Sequence, residues 1–180
     1  MSLTSRSSSK AAPGDCEGRS TSRHSLHVAK RRPGMIRVAV SLVINRPVDE
    51  VFAFLGDLEN NMRWRSSQVE VRKTSKGPIT VGTTYRMVNN VLGRRIEGEG
   101  VVTEYEPNRK YTSVSRSGYL PLKAQRVFER VVGGTRVTLI LQAEPAGFFK
   151  IAQPLIATMA RRRIESDAAN LKDLMENGAL

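Results

Sequence analysis

The feature that most constrains this fold is a change of hydrophobic period at Pro145. From Gln68 to Glu144 the chain returns six times to the alternation of apolar and polar residues that is typical of half-buried strands, and turn residues separate these segments. Beyond Pro145 the apolar residues recur with a period of about 3.6 residues, which is typical of an amphipathic helix. The pattern predicts a meander of six antiparallel strands followed by one long helix.

A further strand and one or two short helices are predicted before the meander. Strict alternation over residues 36–44 indicates a half-buried strand. Pro47 then suits the first position of a helix, and Asp49 and Glu50 follow in the first turn, where the helix dipole favours acids. A second helical turn is expected from Glu59 to Trp64. These elements predict an α+β fold with seven strands and a C-terminal helix of about 28 residues.

The dipeptide Gly133-Gly134 separates the last two predicted strands, KAQRVFERVV and TRVTLILQAE. Two glycines can supply the positive φ angles of a two-residue hairpin loop. Pairing outward from this turn sets Phe128 opposite Leu139 and Arg126 opposite Leu141. The same pairing sets Arg130 opposite Val137, so one face of the hairpin is expected to be apolar with an arginine at each flank.

Residues 1–34 differ in composition from the rest of the chain. They contain eight serines, seven Lys and Arg against two acids, and almost no aliphatic periodicity. Such a segment cannot bury enough apolar surface to offset its ordering entropy. We therefore expect a disordered N-terminal extension, with residues 35–180 forming the domain. A transit peptide is the functional alternative, since these peptides are rich in Ser and Arg and poor in acids.

The rare residues restrict the chemistry of the domain. The single cysteine, Cys16, and both histidines, His24 and His27, precede Met35. A disulfide framework, a Cys/His zinc site and a His-activated nucleophile are therefore excluded from residues 35–180. Any catalysis there falls to carboxylates, Arg, Lys, Tyr or hydroxyl groups. We expect neither a metal nor a cofactor.

The space between the predicted sheet and helix is expected to be incompletely filled. One long helix is the only large element available to cover the apolar face of seven strands, and the whole chain holds five Phe, four Tyr and one Trp. A mostly apolar cavity with a few polar groups is the usual form of a small-molecule site. The sequence therefore predicts a ligand cavity between sheet and helix.

Several segments, in this order of elements, resemble the START-like or helix-grip superfamily (SRPBCC): VINRPVDEVFAFLGDLENNMRW, GTTYR, VVTEYEPNRKY, RVFERVVGGTRVTLILQ and LKDLMENG. Within it the chain is most similar to the bacterial polyketide cyclase/dehydrase and lipid-transport group, and more distantly to the birch pollen allergen group. The resemblance covers about residues 36–177. It implies a curved sheet wrapped around the long helix, with a deep pocket for lipids, polyketides, steroids or hormones. Its members include cyclases, dehydratases, carriers and co-chaperones.

The register of this family indicates the residues that line the pocket. It puts Tyr85 and Met87 on the concave face of the sheet and Trp64 near the pocket mouth. Core packing is the alternative role for each of them. The same choice between ligand contact and packing applies to apolar residues of the last hairpin and the helix, namely Phe128, Leu139, Leu141, Phe148, Ile151, Leu155 and Met159.

Two polar features are candidates for ligand recognition. Tyr111 and Ser113 share a face with Ser115 and would offer hydrogen bonds if that face points inward; otherwise Thr112 and Val114 point inward. Arg126 shares a face with Phe128. An inward arginine would need a partner or an anionic ligand group, because burying a bare charge costs several kcal/mol. We favour the interpretation in which Arg126 reaches solvent at the sheet rim.

A run of three arginines, Arg161 to Arg163, lies on the predicted helix. It could contact phosphate groups of lipid or RNA, but a solvated face with intrahelical pairs to Glu165 and Asp167 is the usual role of such a run. The net charge of the whole chain, +12, permits association with nucleic acid or anionic membranes without specifying either. No apolar run approaches the roughly 20 residues of a membrane helix, so we expect a cytoplasmic protein without a membrane span.

Three functions are consistent with these observations. The favoured one is a carrier or binding protein for a hydrophobic small molecule. The second is a polyketide cyclase or dehydratase, in which Tyr85, Tyr111 or a carboxylate with a shifted pKa would do the acid and base work. The third is a protein or ribosome interaction module, motivated by the net charge of +7 over residues 35–180. The sequence lacks the dense aromatic and basic platforms of base-reading proteins, so no specific nucleic-acid partner is expected.

Overall fold

The computed structural model describes residues 35–91, 93–117, 120–144 and 153–178. The predicted disordered extension, residues 1–34, lies outside this part of the chain. The described residues form one antiparallel sheet of seven strands and three helices. In chain order the elements are β1 (Ile36–Ile44), α1 (Val48–Gly56), α2 (Asn61–Trp64), β2 (Gln68–Lys73), β3 (Thr84–Val91), β4 (Arg94–Glu106), β5 (Lys110–Ser117), β6 (Leu120–Val131), β7 (Gly134–Ala143) and α3 (Gln153–Asn177).

The strand order across the sheet is β1-β7-β6-β5-β4-β3-β2. Strands β2 to β7 therefore form a simple meander, and β1 closes one edge by pairing with β7. Helix α1 begins after Pro47, with Asp49 and Glu50 in its first turn, and ends at Gly56, after which Asp57 is extended. The predicted fold class and order of elements are confirmed.

The hairpin between β6 and β7 turns one residue earlier than predicted. Val131 pairs with Gly134, so the two-residue loop is Val132 and Gly133. Arg126 therefore faces Leu139 rather than Leu141. The predicted partners were wrong by two positions, but a two-residue shift keeps every side chain on its expected face.

The two glycines of this hairpin have different roles. Gly133 has a positive φ of 84°, which suits the loop. A Cβ atom at Gly134 would lie 2.1 Å from the carbonyl oxygen of Ile44, because the end of β1 passes directly beside it. Gly134 thus allows the close approach of β1.

The densest part of the core lies between the sheet, α1 and the C-terminal end of α3. Its members are fully or almost fully buried and come from β1, α1, β6, β7 and α3: Ile44, Val51, Leu55, Phe128, Val137, Leu171 and Met175. A second, smaller cluster joins β1 to the N-terminal part of α3, where Ile36 and Val38 pack against Ile156, Ala157 and Ala160.

In its first turns, helix α3 directs towards the sheet a different face from the predicted one. Ile164 packs on the core as expected. Leu155 and Met159, however, are 64% and 49% exposed. Leu155 precedes Ile164 by nine residues, which at about 100° per residue places the two side chains on opposite sides of the helix. The prediction that Leu155 and Met159 line the interior is therefore wrong. The predicted pocket residues Phe148 and Ile151 lie outside the described residues.

Candidate ligand-binding site

A cavity of about 50 Å³ lies between the sheet and α3 beside α2. Its wall combines apolar and charged side chains from α2, β6, β7 and α3, together with the residue that follows α2: Trp64, Arg65, Ala124, Gln125, Arg126, Leu139, Ile140, Leu141, Ile164 and Asp167. Drug-sized ligands occupy pockets of about 300–1,000 Å³. The cavity therefore lies between sheet and helix, as the sequence predicted. Its volume is much smaller than that of a typical ligand pocket, so the interior is more completely filled than expected.

Aromatic rings in edge-to-face contact fill the interior next to this cavity. Phe52 of α1 meets Phe128 edge-to-face at a centroid distance of 5.1 Å and Tyr105 at 5.3 Å. Tyr105 in turn meets Tyr111 at 6.1 Å. These four rings occupy interior space beside Arg126, and this limits the free volume of the cavity.

Arg126 is the most unusual side chain of the cavity wall. It is only 6% exposed, so the interpretation that it reaches solvent at the rim is wrong. Its guanidinium donates hydrogen bonds to the carbonyl oxygen of Leu55 and, over 2.7 Å, to Oδ1 of Asn61. The sheet thus directs Arg126 inward, and the end of α1 and the start of α2 supply the acceptors.

Two aromatic rings flank the same guanidinium. Its central carbon lies 5.1 Å from the ring centroid of Tyr111 and 5.6 Å from that of Trp64. Arg65 approaches the Trp64 ring at 5.8 Å. Cation–π contacts of this kind stabilise a partly desolvated cation. Burial lowers the pKa of Arg126 to about 10, the neighbouring Tyr111 opposes this shift, and the nearby Arg65 adds to it. Arg126 is still a cation at neutral pH.

The face of β5 that carries Tyr111 and Ser113 points inward. Ser113 pairs with the core residue Val102, and both serines of this face, Ser113 and Ser115, are buried. Thr112 lies on the other face, where its hydroxyl bonds to the Glu104 carboxylate. Of the two orientations considered for this strand, the one with the serines inside is the one adopted.

Tyr111 provides a buried hydroxyl in this interior. Its Oη has no hydrogen-bond partner of good geometry among the described residues. Burial is the main cause that raises the pKa of Tyr111 far above its usual value, against the opposing effect of Arg126. The phenol is therefore protonated at neutral pH and can donate a hydrogen bond.

Tyr85 and Met87 of β3 are buried on the concave face. The Tyr85 ring lies directly over Gly100, where a Cβ atom would come within 2.3 Å of the ring. Among the predicted pocket residues that the structure describes, four line the cavity: Trp64, Arg126, Leu139 and Leu141. Five others belong to the surrounding interior: Tyr85, Met87, Tyr111, Ser113 and Phe128.

Sequence reasoning missed three polar residues near the cavity. Asp167 was assigned to intrahelical pairing, yet it is buried and its Oδ1 accepts hydrogen bonds from Ser66 N at 3.0 Å and Ser66 Oγ at 2.9 Å. The sequence did contain a sign of this burial, because Asp167 lies between Ile164 and Leu171 on the apolar face of the helix. Arg65 and Asn61 gave no comparable signal. Glu165 does pair with Arg161, at 3.6 Å, as predicted.

An antiparallel sheet of seven strands that grips a C-terminal helix, with a cavity between them, defines a START-like protein of the helix-grip class. A family model described as "Polyketide cyclase / dehydrase and lipid transport" matches residues 35–176. The chain belongs to this family.

Solved structures agree with the fold. The protein TTHA0849 from Thermus thermophilus is 19% identical, with a TM-score of 0.64 over 77% of this chain and 94% of that one. A START superfamily protein from Mycobacterium smegmatis is 12% identical, with a TM-score of 0.65 over 77% and 96%. The Zhui aromatase/cyclase from a Streptomyces species is 15% identical, with a TM-score of 0.61 over 77% and 92%. No curated protein matches the sequence.

Within the described part of the chain, none of the helices is both long and apolar enough to cross a membrane.

Proposed function

We propose that the protein binds a hydrophobic small molecule, such as a lipid or polyketide, between the sheet and α3, as a carrier or binding protein. The observation that carries the proposal is the composition of one cavity wall. Leu139, Leu141 and Ile164 form an apolar surface, and the buried Arg126 provides a polar group beside it. Apolar walls with a few oriented polar groups are typical of small-molecule sites. The family description, with its lipid-transport members, supports the same conclusion.

A ligand of this size needs more room than about 50 Å³. Helix α3 contributes Ile164 and Asp167 to the cavity wall, and its N-terminal part, residues 154–166, holds only exposed and half-buried side chains. Moving this part of the helix away from the sheet would therefore expose less buried apolar surface than moving the C-terminal part, which buries Ala168, Leu171 and Met175. We propose that ligand binding displaces it and enlarges the cavity.

Native mass spectrometry of the full chain after gentle extraction tests the proposal. The expected result is a co-purified small molecule, released on unfolding. Ala124 lines the cavity, so Ala124→Leu should fill it and abolish this adduct. Ala39→Leu is the matched control, because Ala39 is an exposed strand residue and the same methyl groups there add no bulk to the cavity. Failure of the wild-type protein to take up any of a panel of lipids and aromatic polyketides would contradict the proposal.

A cyclase or dehydratase is the second candidate, and the family description and the aromatase/cyclase among the similar structures favour it. The protonated Tyr111 hydroxyl would donate a hydrogen bond to a ligand carbonyl. The raised pKa of Tyr111 makes this residue a poor base at neutral pH, and for this reason we rank binding first. Incubation with poly-β-ketone analogues is the test. Turnover above the blank that Tyr111→Phe or Tyr85→Phe removes would establish the enzyme.

A further inference from the structure

The cavity wall contains a buried cation whose hydrogen-bonding capacity is only partly used. A guanidinium has five N–H donors. The structure records two hydrogen bonds from Arg126 to the rest of the described chain, one to a carbonyl oxygen and one to an amide oxygen. Both acceptors are neutral. The ion pairs among the described residues do not include Arg126, although burying a cation without a counterion costs several kcal/mol.

The charges around the cavity do not balance. Arg65 and Arg126 both line it, and Asp167 is the one acid of its wall among the described residues. Asp167 Oδ1 already accepts two hydrogen bonds from Ser66. Arg163 adds a further positive charge nearby, and its Nε atom is buried without a hydrogen-bond partner in the described part of the chain. Burial lowers the pKa of Arg65, and the positive charge of Arg163 lowers it further. The neighbouring Asp167 and Tyr85 have the opposite effect on this pKa. The site therefore has an excess of positive charge in an apolar setting.

We propose that the ligand carries a carboxylate, which binds the Arg126 and Arg65 guanidinium groups while its apolar body lies along Leu139, Leu141 and Ile164. This inference rests on the proposed function and specifies its ligand class. A carboxylate matches the planar fork of arginine donors and supplies the missing negative charge. Both guanidinium groups approach the Trp64 ring, at 5.8 Å for Arg65 and 5.6 Å for Arg126, so they lie near the same side chain of the cavity wall. A neutral lipid would leave the excess charge uncompensated.

A matched pair of probes tests the ligand class. Octanoate and 1-octanol have the same chain length and differ in the charged group. Calorimetric titration of the full chain at pH 7.5 should give at least about tenfold tighter binding for octanoate, the factor expected of charge-assisted hydrogen bonds. Arg126→Gln should bring the two affinities within about twofold of each other, mainly by weakening the binding of octanoate.

Two further variants separate recognition from structure. Arg65→Gln should also reduce the preference for octanoate, and because Arg65 is only half-buried this variant is suitable if Arg126→Gln does not fold. Arg162→Gln is the control, since Arg162 is an exposed arginine of α3 and its loss should keep the preference. A purely structural arginine would weaken both probes equally.

The outcomes distinguish the two proposals. Equal affinity of the wild-type protein for octanoate and 1-octanol would overturn the carboxylate proposal and leave the proposed function intact. A preference for octanoate that survives in both arginine variants would also overturn it. If neither these probes nor any lipid or polyketide of the panel binds, the proposed function itself is wrong, and the carboxylate proposal is wrong with it.

Discussion

The two halves of helix α3 are fixed to the protein in very different ways. The C-terminal half, from Asp167 onward, buries Ala168, Leu171 and Met175 in the core. Polar contacts with the end of β1 reinforce this packing: Asn45 N donates to Glu176 Oε1 at 2.7 Å, Arg46 Nε donates to the Met175 carbonyl at 3.0 Å and Lys172 Nζ donates to the Val43 carbonyl at 2.6 Å. The N-terminal half, residues 154–166, packs on the sheet through half-buried side chains: Ile156, Ala157 and Ala160 contact the β1 cluster, and Ile164 contacts both clusters.

This difference shows how one helix can both complete a core and cover a binding site. Local opening requires little free energy where few apolar side chains are buried, and much more where many are. The anchored half holds the fold together beside α1. The more loosely packed half meets the cavity through Ile164 and can move with a smaller loss of buried apolar surface than the anchored half. The proposed pocket lies beside the half of α3 whose opening costs less free energy.

The largest expected effect is the loss of an anchor in the C-terminal half. Leu171→Ala should lower the free energy of unfolding by about 2–5 kcal/mol, because Leu171 is fully buried and its truncation leaves a cavity. Ile156→Ala, in the other half, should cost less than half as much, since Ile156 is only partly buried. Urea unfolding followed by circular dichroism measures both. Equal losses would show that the two halves are not different in packing.

A smaller effect is expected at the boundary between the halves. Asp167→Asn should lower the free energy of unfolding by about 1–3 kcal/mol, because it removes a buried charge that accepts hydrogen bonds from Ser66 and partly balances Arg65. Asp173→Asn, at an exposed position of the same helix, should change stability by no more than about 0.5 kcal/mol. Chemical denaturation of the pair provides the comparison. An unchanged free energy of unfolding in Asp167→Asn would mean that the contact between Asp167 and Ser66 does not stabilise the boundary between the two halves of α3.

The smallest effect is expected on the outer surface of the N-terminal half. Leu155→Gln and Met159→Gln should each change the free energy of unfolding by no more than about 0.5 kcal/mol, because both side chains are largely exposed. Thermal and urea unfolding both measure this. A loss of stability comparable to that of Ile156→Ala would contradict this orientation of α3. It would indicate that the face with Leu155 and Met159 packs on the sheet.

The elements of the fold were predictable from the sequence because each depends on local alternation or helical spacing. The inward face of β6 was also correct, and with it the face of Arg126. The partners of Arg126 were not predictable. Its two acceptors, Leu55 and Asn61, are 71 and 65 residues away in sequence, and only the packing of α1 and α2 on the sheet brings them within reach.

Two further errors have equally specific causes. The first turns of α3 contain two apolar stripes, one with Leu155 and Met159 and one with Ile156 and Ala160, and spacing alone does not say which of them faces the sheet. The interior was expected to be less completely filled than it is, because composition counts the aromatic residues but not their positions. Phe52 and Tyr105 meet edge-to-face in the interior and fill space there. Both errors concern tertiary packing, which local patterns do not encode.

Amide hydrogen exchange with and without a saturating apolar ligand, octanoate or 1-octanol, tests the central claim most directly. We expect residues 154–164 to exchange faster than residues 168–175 in the free protein, and we expect the ligand to change exchange in the first segment while leaving the second unaltered. A bound ligand that leaves residues 154–164 unchanged, or that protects a distant part of the sheet instead, would contradict a binding site beneath the N-terminal half of α3.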